Sequence, residues 1–135
     1  MYSIGVRDHI MVAHSLAQES LDPTPRLHGA TYTVAVELEC EELDPQEHVI
    51  DPSLLRDTLR EVLAELDHQN LDEHPAFAES AVTVEIIARH LHRELVRRLE
   101  WRAGLLTITL EQSPTAFARY RASLRNPSLP PPAEA

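Results

Sequence analysis

An aspartate followed directly by a histidine, Asp67–His68, is the pair in this sequence best suited to moving a proton. The carboxylate can fix the imidazole tautomer and stabilise the imidazolium. The same two residues also have a structural use, with Asp67 ending a helix and His68 sitting in a solvated turn. Glu111 follows the apolar run LLTITL and precedes a Ser113–Pro114 turn, which puts a carboxylate at a strand end. Other histidines combine less well. His9 and His14 are five residues apart, an odd offset that sends them to opposite faces of a strand unless a bulge intervenes. His90 and His92 are two apart on a predicted helix and do not face each other, and His48 and His74 fall in predicted loops. The single cysteine, Cys40, allows neither an internal disulfide nor a thiolate metal cluster and reads as a small strand residue.

The elements that hold these groups follow from periodicity. Residues 2–14 carry β-branched residues with partial alternation and predict a strand ending near Ser15. Residues 17–27 hold two prolines and several turn formers, a loop. Over 29–41 the alternation has period two, with Tyr32, Val34, Val36 and Leu38 on one side and Thr31, Thr33, Ala35, Glu37 and Glu39 on the other. Asp51 caps a helix beginning at Pro52, with Leu54, Leu55, Leu59, Val62, Leu63 and Leu66 as its apolar face and a stop near Asp67. A polar connection over 68–81 leads to Thr83, the cap of a second helix that turns Ile86, Ile87, Leu91, Leu95 and Leu99 inward. Its other face carries Arg89, Arg93, Arg97 and Arg98, a solvated stripe or a match for acidic residues of a neighbouring subunit. Gly104 restarts the chain as a strand, and 116–124 supply the last one.

The order strand, strand, helix, helix, strand, strand is an antiparallel α+β plan: a four-stranded sheet with two helices on one face. Its open edges favour an oligomer in which sheets continue between subunits. With 135 residues, the expectation is one domain over 1–124 and a flexible Pro-rich tail over 125–135. A formal net charge of -10 disfavours nucleic acid and anionic membrane surfaces as partners. There is no run of eighteen apolar residues, and the N-terminus lacks a secretory pattern, so the expected location is cytoplasmic.

Six pieces in order, VAHSL (12–16), RLHGATY (26–32), VIDPSLL (49–55), LDHQNLD (66–72), TVE (83–85) and LEQ (110–112), resemble the 6-pyruvoyltetrahydropterin synthase and 6-carboxytetrahydropterin synthase family. The resemblance implies a T-fold, closed into a β-barrel oligomer and stacked as a homo-hexamer of two trimers, with active sites between subunits. It also implies a zinc ion on three histidines. Two of those positions are His14 and His28, but the third is Ala30, whose methyl group cannot donate to a metal; two imidazoles fall short of the three protein ligands a catalytic zinc takes. The resemblance therefore predicts remnant ligands, and the expected cofactor is none. The family's catalytic cysteine falls at Thr24, whose hydroxyl is too weak an acid to replace a thiolate base.

In the same comparison Asp67 and His68 match an acid/base pair, and Glu111 matches the glutamate that anchors a pterin. The carboxylate suits the role because the 2-amino group and the adjacent ring N–H form a fork that one carboxylate can accept in plane. Thr83 and Glu85 match a Thr-x-Glu motif, although a helix cap and a first-turn acid explain both. The predicted substrate contacts are thus Glu111, Thr83, Thr24 and His28. The expected function is pterin-like ring binding without zinc and without the standard synthase reaction. Two alternatives stand beside it: a non-catalytic pterin or purine sensor or carrier, and a metal-dependent lyase with a substitute ligand.

Overall fold

A computed structural model describes residues 1–15, 27–100 and 103–125. The first strand, β1, spans Tyr2–Ser15, and β2 spans Leu27–Cys40. Helix α1 (Pro52–Ala64) and helix α2 (Val84–Leu99) follow, then β3 (Leu105–Ser113) and β4 (Ala116–Ser123). The strands form one antiparallel sheet in the order β1-β2-β3-β4, the predicted α+β arrangement. Thr24 and residues 126–135 of the predicted tail lie outside the described residues.

Alternation decides which face of the sheet is buried. Even-numbered residues, including Ile10, Val12, Val34, Val36, Ile108 and Leu110, are buried beneath the helices. Leu55, Leu59, Ile87, Leu91 and Leu95 complete this core from the helix side. Most odd-numbered residues of β1 and β2 are exposed or half-buried on the helix-free face. Thr107 of β3 is buried on that face, and the bidentate Arg121–Glu39 pair joins the strands on either side of it. Its hydroxyl has no hydrogen-bond partner among the described residues.

Local chemistry sets the element boundaries. Asp51 accepts the Ser53 N–H at 2.8 Å and Pro52 occupies the first turn of α1, while Thr83 accepts the Ile86 N–H at 3.2 Å at the start of α2. Gly104 has φ 127°, and a Cβ there would lie 2.1 Å from the Glu39 carbonyl oxygen. Only glycine allows β3 to start this close to β2.

Three expectations change. Leu54 is exposed at the start of α1, whereas His92, not among the inward residues expected for α2, is buried and donates from Nε2 to the Ala122 carbonyl of β4 at 3.3 Å. The arginine stripe is partly matched within the chain: Arg97 bonds Glu94 at 2.5 Å and Arg98 pairs with Glu65 and Glu94. The polar connection is not a plain loop, because Leu71–Glu73 and Pro75–Phe77 form short 3-10 turns, the second capped by His74 Nδ1. Among the described residues no helix is long and apolar enough to cross a membrane.

Candidate functional site

Asp67 and His68 sit just past α1 and grip the outer edge of β1. Asp67 Oδ1 accepts the Met11 N–H at 2.9 Å, and the His68 N–H donates to the Met11 carbonyl at 2.6 Å. Both edge-facing polar groups of one strand residue are therefore held by consecutive residues. His68 takes φ 61°, a left-handed conformation that costs a non-glycine residue about 1 kcal/mol and persists here because the clamp fixes it. The strap continues: Ala13 N–H donates to Gln69 carbonyl at 3.0 Å, and Asp72 accepts from the Ser15 backbone and hydroxyl. It covers the β1 edge from Met11 to Ser15.

The other oxygen of Asp67 lies 3.1 Å from His68 Nδ1, while the rest of the imidazole is exposed. Asp67 is thus both a structural acceptor and the orienter of an accessible ring. Its carboxyl is held below the ordinary 3.8, first by the Met11 N–H and then, against some burial, by His68 and His9. This geometry keeps Asp67 ionised and leaves His68 Nε2 as the atom that can exchange a proton with a ligand.

His14 and His28 are direct cross-strand partners on the helix face of the sheet, and Ala30 stands opposite Val12. His14 is buried, and both of its ring nitrogens are engaged: Nδ1 lies 3.3 Å from the Ser15 carbonyl and Nε2 lies 2.7 Å from the Tyr32 hydroxyl. A carbonyl only accepts, so in the neutral ring Nδ1 carries the proton and Nε2 accepts from the phenol. Tyr32 reaches His14 across the small Ala30 side chain, their ring centroids 6.1 Å apart. Burial raises the pKa of the Tyr32 phenol, which keeps it a donor.

These residues do not fit a three-histidine zinc site. The third position is a methyl group, and the His14 lone pair a metal would use accepts a hydrogen bond instead. Among the described residues no three His, Cys, Asp or Glu side chains converge as a metal site. The β1–β2 register is continuous from Tyr2 to Ser15, with no bulge to bring His9 to the face of His14.

Glu111 lies on the opposite, helix-free face. It pairs with Thr33 on one side and Phe117 on the other, and Thr33 pairs in turn with His9. The register shifts between Glu111 and Ser113, so a bulge follows the carboxylate. Glu111 is exposed and has no hydrogen-bond or salt-bridge partner among the described residues. Thr83 is committed to capping α2 on the helix layer. The chain thus brings together Asp67 with His68, and His14 with His28, but turns Glu111 away from the histidine pair. Sequence reasoning missed Tyr32 and Phe117; the available signal was that Tyr32 shares the strand parity of His28, and Phe117 that of Glu111 across a short hairpin.

A family model described as 6-pyruvoyl tetrahydropterin synthase matches residues 3–123. The 6-carboxy-5,6,7,8-tetrahydropterin synthase of Bacillus subtilis (strain 168) is 28% identical over 120 residues, covering 84% of this chain and 80% of that protein. Among solved structures, the 6-pyruvoyl tetrahydropterin synthase of Caenorhabditis elegans superimposes with a TM-score of 0.71 at 24% identity, over 90% of this chain and 96% of that chain. The Plasmodium vivax 6-pyruvoyl tetrahydropterin synthase gives a TM-score of 0.73 at 18% identity, over 90% of this chain and 98% of that chain. These two likenesses establish the common T-fold.

Proposed function

Because the chain belongs to the 6-pyruvoyl tetrahydropterin synthase family, we propose that it binds a pterin-type 2-amino-4-oxo ring through Glu111 and moves protons at Asp67–His68 without zinc. The observation that carries this reading is the state of Glu111, an exposed carboxylate at a bulged strand end with both oxygens free of partners among the described residues. Such a group can accept the paired N–H donors of an amidine-like ring edge in one plane.

The chain's own groups then divide the work. Glu111 fixes the ring, and Asp67 holds His68 through Nδ1 so that Nε2 can take a proton from the ligand side chain and return it. Asp67 stabilises the imidazolium formed in between.

The opposite faces of Glu111 and the His14–His28 pair favour a site completed by a second subunit, which is the place for the proposed homo-hexamer. We place the protein in the cytoplasm, with a small pterin-like molecule as its partner. Titration with neopterin tests the ring site: binding is expected in the wild type and is lost in Glu111→Ala. Turnover of a dihydroneopterin derivative tests the proton pair, with His68→Gln expected to abolish it and leave binding intact. Glu111-dependent binding with no turnover in the wild type would make the protein a sensor or carrier instead.

A further inference from the structure

Phe117 is an exposed aromatic side chain on the helix-free face, 60% accessible. The core does not use it. It is the direct cross-strand partner of Glu111, and such neighbours hold their Cβ atoms about 5 Å apart. Its ring is held from one side only. The Arg119 guanidinium carbon lies 5.0 Å from the ring centroid, and Arg119 Nε donates to Thr109 Oγ1 at 3.0 Å, which anchors the guanidinium in turn. One flank of the ring is closed by a cation, and the rest stays accessible beside a carboxylate without a partner.

From this arrangement we propose that Phe117 is a specificity-determining residue, the stacking platform for a planar fused heterocycle whose amidine edge is held by Glu111. The inference rests on the reading of Glu111 as the ring anchor and adds what that reading lacks, a contact for the ring's face. A carboxylate alone fixes one edge and leaves the ring free to swing about it. An aromatic side chain directly beside that carboxylate offers a face for offset stacking and removes that freedom. Arg119 preorients the platform, so little ordering is left to binding. A flat ring stacks on Phe117 over its whole area, whereas a reduced, puckered ring loses part of the contact. The site therefore selects oxidised, planar pterins over tetrahydro forms.

The test is titration of the full chain with neopterin and with tetrahydroneopterin, followed by calorimetry and by the ligand's own fluorescence, on wild type, Phe117→Ala, Phe117→Tyr and Glu111→Ala. Phe117→Ala is expected to bind neopterin about 3- to 10-fold more weakly, the range an aromatic pair supplies. It should also lose the stacking-induced quench and the preference for the planar ligand, while Phe117→Tyr keeps all three. Light scattering on each variant reports oligomer mass. Glu111-dependent binding that Phe117→Ala leaves unchanged would overturn the platform and spare the anchor. Weakening that appears only with a change in oligomer mass would also overturn it, by assigning Phe117 to subunit contact. Wild-type binding that ignores Glu111 would instead remove the anchor on which the platform depends.

Discussion

The Tyr32 hydroxyl lies 2.7 Å from Nε2 of His14, with both residues buried, and this contact takes the lone pair that a metal would need. Ala30 makes it possible, because the small side chain leaves the row between them open to the tyrosine ring. Zinc affinity is therefore expected to rise in steps. Wild-type protein retains no stoichiometric zinc after dialysis, Ala30→His gains it, and Ala30→His combined with Tyr32→Phe binds it more tightly because the competing phenol is gone. Elemental analysis of the three proteins reads the order directly, and stoichiometric zinc in the wild type would contradict it.

Asp67 links stability to the proton pair. Asp67→Ala removes the acceptor of the Met11 N–H and is expected to cost about 1 kcal/mol in urea unfolding. The pH dependence has a definite sign. The folded-state pKa of Asp67 is lowered, so its contribution is present above the ordinary 3.8 and is lost as pH falls through the folded value. The variant should accordingly show a shallower loss of stability below about pH 3.8 than the wild type. Parallel acid profiles would contradict the clamp.

His92 governs the next pH window up. Burial pushes its pKa below the ordinary 6.5, reinforced by Arg93 and opposed by the Ala122 carbonyl that accepts from its ring. The unfolded state then binds the proton more readily, so stability is full above 6.5 and falls as pH drops below it. His92→Gln keeps a donor for Ala122 and removes the titration. Its unfolding midpoint should change less between pH 7 and 5 than that of the wild type, with His90, also lowered by burial, accounting for part of the remainder. An unchanged slope would mean that His92 does not titrate on unfolding.

Thr107 offers a change in the stabilising direction. Its hydroxyl is buried without a partner among the described residues, so the near-isosteric Thr107→Val removes a desolvation cost and is expected to add about 1 kcal/mol. Thermal unfolding checks it. A destabilised valine variant would show that the hydroxyl finds its partner in the assembled protein.

Much of the fold was legible because it is written in local chemistry. The period-two pattern from Thr31 to Glu39 set the buried face of β2, and Asp51, Pro52 and Thr83 marked the helix starts. What escaped the sequence depends on neighbours distant along the chain. Leu54 reads as apolar yet lies outside the stripe that meets the sheet, and His92 reads as polar yet lies under β4. The arginine stripe needed the packing of α1 against α2 to bring Glu65 to Arg98. For the candidate site, the Asp67–His68 pair was visible as a dipeptide, but its clamp on Met11 required the strap to meet the β1 edge. The parity that separates Glu111 from His14 is periodic, whereas the bond from His14 to Tyr32 spans two rows of the sheet and carries no spacing signature.

The most direct test of the central claim is calorimetric titration of neopterin into purified wild-type protein and into Glu111→Ala of equal oligomer mass. Saturable binding in the wild type that disappears in the variant is the predicted result. Equal binding by both proteins, or none by either, would contradict the claim that Glu111 anchors a pterin-type ring.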